Sequence, residues 1–122
     1  MAIEKFLSYL AYEKRYSTHT IASYERDLRQ FNDYLETTFE LNLLDAKYLQ
    51  VRAYIAHLMD HQIGANSVGR KMSTLRSFYK YNLQQGAIMA NPMALVKSPK
   101  VVIIYWIQLT TLMIVFLPYV IS

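Results

Sequence analysis

The chain has 122 residues, 13 Lys or Arg against nine Asp or Glu, and a formal net charge of +4. That length allows one small domain, or one domain with an appendage, and a body of about 100 residues can bury a self-sufficient core. The absence of cysteine excludes disulfide frameworks, thiolate chemistry and Cys-containing zinc sites.

Charges at Glu4, Lys5, Glu13 and Lys14 interrupt the N-terminal stretch, which therefore lacks the apolar run of a signal peptide; a cytoplasmic location is expected. Ile3, Phe6, Leu7 and Leu10 share one helical face, which predicts a short first helix ending near Arg15–Tyr16. Ser17 is a good N-cap. Apolar residues at Ile21, Tyr24, Leu28, Phe31 and Leu35 then predict a second helix of about five turns. The stretch TTFELNLL reads as a connection, because two β-branched residues and Asn42 break the spacing. Asp45 is placed to cap a third helix carrying Tyr48, Val51, Ile55, Leu58 and Met59, and Gly64 supplies its stop. A fourth helix opens at Asn66–Ser67, turns Val68, Met72, Leu75, Tyr79 and Leu83 inward, and ends at Gly86. Asn91-Pro92 marks a turn or a new short helix. The expected body is all-α, with four helices over residues 1–90.

The charges are not evenly spread. Residues 1–60 hold all nine acids and seven bases, whereas residues 61–100 hold six bases (Arg70, Lys71, Arg76, Lys80, Lys97, Lys100) and no acid. A field of one sign attracts polyanions such as nucleic acid or an anionic membrane. With Val68 of the fourth helix at zero, Met72, Leu75 and Tyr79 lie within about 40° of it. Asn66, Arg70, Ser73, Ser77 and Lys80 cluster on the far side, between about 120° and 200°, with Arg76 at the edge. Cations that neutralise phosphates are thus interleaved with small groups that hydrogen-bond phosphate oxygens or base edges. The start of the second helix gives a weaker form of the same signal. Thr18, His19, Thr20 and Ser23 gather at its free amides, and Arg26 and Arg29 follow, diluted by Glu25, Asp27 and Asp33.

Three runs in order carry a family resemblance: T-x-x-x-Y-x-x-D-L-x-x-F-x-x-Y-L from Thr20 to Leu35, S-x-x-R-x-x-S-x-L-R-x-F-Y from Ser67 to Tyr79, and N-P-x-x-x-V-x-x-P-K from Asn91 to Lys100. Together they resemble the N-terminal core-binding (SAM-like) domain of tyrosine recombinases, in particular Xer-type recombinases and phage integrases. The resemblance implies a four-helix domain forming one jaw of a clamp on double-stranded DNA, with its second and fourth helices facing the major groove. By motif position it implies contacts from Thr18, Thr20, Ser23, Arg26 and, if not a core residue, Tyr24. From the fourth helix it implies Ser67, Arg70, Lys71, Ser73, Arg76 and Lys80. Lys97 and Lys100 would touch phosphate in an interdomain linker over residues 91–100, and other recombinase protomers are the further partners implied. In the family a catalytic domain follows that linker. Nothing resembling it follows Lys100 here, so the expectation is a truncated, non-catalytic module whose tyrosines are not nucleophiles.

Residues 101–122, VVIIYWIQLTTLMIVFLPYVIS, carry no charge at all. Three readings stand: the product of a shifted frame or disrupted gene, a membrane anchor preceded by Lys97 and Lys100, or a buried or partner-binding segment. The first is favoured because the change falls inside the linker motif; a membrane partner follows only from the second. His57 and His61 have the i, i+4 spacing of helical zinc pairs, but Leu58 stands where the metalloprotease pattern needs Glu, and no metal or cofactor is expected.

Overall fold

Four helices follow one another in the computed structural model, which describes residues 2–96: α1 (Ala2–Tyr12), α2 (Thr18–Phe39), α3 (Tyr48–Asp60) and α4 (Ala65–Gln84), with one 3-10 turn at Leu43–Asp45. No strand occurs among the described residues, in line with the all-α expectation. The expectations for Lys97, Lys100 and the apolar segment 101–122 lie outside the described residues.

The element boundaries follow from local hydrogen bonding, and several depart from the sequence reading. α1 stops at Tyr12, earlier than expected, because Arg15 takes a left-handed φ of 53° and the Tyr16 amide folds back on the Leu10 carbonyl at 3.1 Å. Ser17 caps α2 as expected, its hydroxyl accepting from the Thr20 amide at 3.2 Å. α2 runs on through Thr37, Thr38 and Phe39, which the sequence reading assigned to a connection. The Phe39 ring meets Tyr34 edge-on at 6.0 Å, and left-handed Glu40 closes the end with its amide on Leu35. That packing outweighs the few tenths of a kcal/mol by which each Thr disfavours a helix.

Asn42 does break the pattern, and its side chain then caps the 3-10 turn by accepting from the Leu44 and Asp45 amides at 2.9 and 3.1 Å. Asp45 belongs to that turn and does not cap α3; Lys47 holds the cap position, its amide bonded to the Gln50 side chain at 2.8 Å. The left-handed residue after α3 is Gln62 (φ 59°), while Gly64 is extended and serves as N-cap of α4. Gly86 ends α4 as expected. Its φ of 76° suits a residue without Cβ, and the Ala87 amide returns to Asn82 at 2.9 Å.

α2 packs against every other helix and is the spine of the fold. Phe6, Leu28, Phe31, Leu35, Val51, Phe78 and Tyr79 are wholly buried. Phe6 and Phe78 meet edge-on at 5.5 Å, joining α1 to α4, and Phe31 lies 4.7 Å from Tyr54, joining α2 to α3. Tyr54 and Phe78, which the sequence reading does not place in the core, are buried, whereas Tyr48 and Leu83, expected inward, are exposed. Asn91-Pro92 opens a turn, capped by the Asn91 side chain on the Met93 amide at 2.8 Å, and Met93 enters the core.

Candidate nucleic-acid interface

The expected face of α4 is there. Arg70, Ser73 and Lys80 are exposed, Ser67, Arg76 and Ser77 are half-buried beside them, and Val68, Met72, Leu75 and Tyr79 are buried on the opposite side. At the start of α2, Thr18 and Arg26 are exposed and Thr20 and Ser23 half-buried. The Thr20 hydroxyl shares a 2.9 Å hydrogen bond with Ser17, so it takes part in the helix cap. Tyr24 is packed against the core, its ring 6.0 Å from both Phe6 and Tyr16. That placement favours its role in packing.

What joins the two helices is Asp27, an acid that the sequence reading treated only as a dilution of charge. Its carboxylate is 1% exposed and accepts from four donors on α4. Arg70 reaches it through Nε at 3.3 Å and Nη2 at 3.1 Å, Lys71 through Nζ at 3.1 Å, and Thr74 through its hydroxyl at 3.2 Å. Lys71 also donates to the Gln30 side chain. No buried side-chain polar atom lacks a partner among the described residues, so this network is fully satisfied.

The network separates the cations. Lys71, an expected contact, has only 9% of its side chain exposed and is committed to Asp27 and Gln30, so it is not on the outer face. Arg70 is half shared: its side chain is 46% exposed although it pairs with Asp27. Arg76 donates to the Val96 carbonyl at 3.3 Å and holds the departing chain beside α4. Arg29 bonds Glu25 at 2.9 Å and Glu4 at 3.4 Å. Arg26 and Lys80 are exposed and make no ion pair among the described residues.

A concavity of about 540 Å³ opens between α2 and α3, lined in part by Tyr34, Tyr54, His57, His61 and Ile63. The His57 and His61 rings lie 4.2 Å apart, and His61 Nδ1 is 2.9 Å from the His57 carbonyl oxygen. Among the described residues no group of three or more His, Asp or Glu is arranged to hold a metal ion. Nor is any helix among them long and apolar enough to cross a membrane. The buried phenols are the reverse of activated: burial, with smaller contributions from Asp27 and Tyr34, pushes Tyr54 up to about 12, and burial pushes Tyr79 higher still.

Comparison with known proteins agrees with this architecture. Residues 3–86 match the family "Phage integrase, N-terminal SAM-like domain". Similar curated proteins include the tyrosine recombinase XerC of Halalkalibacterium halodurans, 40% identical over 98 residues, which are 80% of this chain and 32% of the relative. XerC of Anoxybacillus flavithermus is 39% identical over 95 residues (78% and 32%), and that of Staphylococcus haemolyticus 38% over 95 (78% and 32%). The chain thus spans about a third of the length of these relatives. No solved structure matches it. With the match covering all four helices and the network that joins α2 to α4, the chain belongs to the phage integrase family through its N-terminal SAM-like domain.

Proposed function

We propose that this chain is a DNA-binding module of a site-specific tyrosine recombinase, laying α4 and the start of α2 against the major groove of double-stranded DNA. One observation carries the reading: an acid-free outer face on α4, with Arg70, Ser73 and Lys80 exposed, braced against α2 by a buried carboxylate. Arg26 and Lys80 contact phosphates; Thr18, Ser23, Ser67 and Ser73 supply short hydrogen-bonding groups at the groove wall. Residues 1–90 are the binding unit, and residues 91–100, with Lys97 and Lys100, carry the chain along the duplex. Other recombinase protomers on the same DNA are the protein partners this role implies, and the cytoplasm is where it would act. Strand cleavage is not assigned to this module. The buried phenols of Tyr54 and Tyr79 hold their protons tightly, which supports a structural role for them.

The test is duplex binding by the whole chain across a salt series, read by fluorescence anisotropy. Each neutralised phosphate contributes about −0.9 to the slope of log affinity against log salt. Arg26→Ala combined with Lys80→Ala should weaken binding to all sequences alike and flatten that slope by about 2. These two side chains brace nothing among the described residues, so the fold should stay intact. An unchanged slope would remove this face from the interface.

A further inference from the structure

Arg70 is held as few surface cations are. Two of its N–H groups, on Nε and Nη2, donate to the two oxygens of one carboxylate, Asp27 Oδ2 at 3.3 Å and Oδ1 at 3.1 Å. The carboxylate is buried and also gripped by Lys71 Nζ at 3.1 Å on Oδ1 and by the Thr74 hydroxyl at 3.2 Å on Oδ2. It cannot turn without losing those bonds, so the plane of the Arg70 fork is fixed. A guanidinium has five N–H groups in one plane. Three remain, two on Nη1 and one on Nη2, along the outer edge of the fork, away from the carboxylate; none has a hydrogen-bond partner among the described residues, and 46% of the side chain is exposed.

We infer that Arg70 reads a guanine in the major groove through this outer edge, and that Asp27 is its positioning residue. The inference rests on the DNA-binding reading above. Guanine offers O6 and N7 side by side in the major groove, two acceptors that match two parallel N–H groups. Phosphate, by contrast, accepts a cation from many directions and rewards unpaired charge. Arg26 and Lys80 meet that description, whereas Arg70 already faces a carboxylate. A fork held in place before binding also loses less conformational freedom on reaching its target, which favours a directional contact. The flanking Ser67, Ser73 and Ser77 are small enough for the helix to come close to the base edges.

The experiment is enrichment of bound duplexes from a random-sequence pool by the whole chain, followed by sequencing and by affinity measurement on the winners. The wild-type chain should enrich a guanine at a position that Arg70→Lys no longer selects. Lysine keeps the charge but cannot form both forks, so total duplex affinity should change little while the preference for that guanine falls by about fivefold to a hundredfold. Asp27→Asn combined with Lys71→Met removes the buried charge pair together, keeps Arg70, and should lose the same preference; a thermal melt checks that it folds. Retention of the guanine by Arg70→Lys overturns the base-reading role, and so does a loss of affinity uniform over all sequences, which marks a phosphate contact. Retention by the Asp27/Lys71 double variant overturns the positioning role. A wild-type chain with no affinity for any duplex overturns the DNA-binding reading and this one with it.

Discussion

Substitution of Asp27 by Ala should be among the most damaging single changes in α2, and the asymmetry with its partners can be worked out from their burial. Removing the carboxylate frees Arg70 to swing into water, since nearly half of its side chain is already there. Lys71 has no such exit. With 9% of its side chain exposed, its ammonium would stay buried beside Gln30 alone. Breaking a buried pair in this way costs about 3–5 kcal/mol. Lys71→Met is milder, because Asp27 keeps the Arg70 fork and the Thr74 hydroxyl; the ammonium's two hydrogen bonds, to Asp27 and to the exposed Gln30, are lost, for about 1.5–3 kcal/mol. The double change Asp27→Asn with Lys71→Met leaves no buried charge and should return to within about 1 kcal/mol of the parent. For a domain of this size the Asp27→Ala loss corresponds to roughly 12–40 °C in Tm. Urea unfolding of the whole chain followed by far-UV circular dichroism measures all three. The reasoning fails if Lys71→Met proves as costly as Asp27→Ala, or if Asp27→Ala costs under about 1 kcal/mol.

Three further outcomes are expected in the same assay. Phe6→Ala opens a cavity where α1 meets Phe78 and should cost about 3–5 kcal/mol; a cost below about 1 would mean α1 is not part of the cooperative unit. Tyr79→Phe leaves the Leu43 carbonyl without the hydroxyl that donates to it at 2.7 Å and should cost about 1–3 kcal/mol, whereas no loss would show that water replaces it. Alkaline stability follows from Tyr54, whose phenol is raised to about 12 from an ordinary value of 10.0. The folded chain keeps a proton that the unfolded chain releases, so stability is intact below about pH 10 and falls as pH rises toward about 12. The slope is about 1.4 kcal/mol per pH unit for each such phenol. Tyr79 acts in the same direction, and Tyr54→Phe should remove one phenol's share of the slope. Equal slopes for Tyr54→Phe and wild type would count against the assignment.

Helices were legible wherever apolar residues recur at three-and-four spacing, and α2 and α4 were read for that reason. The boundaries were less legible because they depend on groups distant in sequence. Phe39 extends α2 only because Tyr34 is there to receive it, and no propensity of Thr37 or Thr38 carries that information. Gln62 takes the left-handed conformation that the sequence reading reserved for Gly64, since the Ile63 amide reaches back to Leu58 at 3.1 Å and fixes the turn one step early. At the candidate site, the outer face of α4 could be projected from sequence. The brace behind it leaves a fainter mark in the sequence. Asp27 follows Tyr24 by three and precedes Phe31 by four, which places an acid within the apolar stripe of α2. Lys71 lies about 60° from Val68 by the same projection, on the packed flank of α4. An acid and a base each on the inward side of facing helices are a pair waiting to be matched, and only the order of packing was missing.

That pair also explains how α4 tolerates its own charge. Arg70, Lys71, Arg76 and Lys80 fall within eleven residues and have no acid on their own helix. Like charges this close on one helix repel, and a solvated helix would relieve the strain with Glu at i, i+4 on the same outward surface. Here relief comes from two inner partners: Asp27 on α2 takes Lys71 and one side of Arg70, and the Val96 carbonyl takes Arg76. Neutralisation at the buried seam leaves the solvent side free of acid, which intrahelical Glu–Lys pairs would not. The separation of acids and bases along the sequence is therefore not a separation in space. One carboxylate supplied from the acidic half stabilises the basic half from behind, and the outward field of Arg26, Arg70 and Lys80 survives because its counter-charge is underneath.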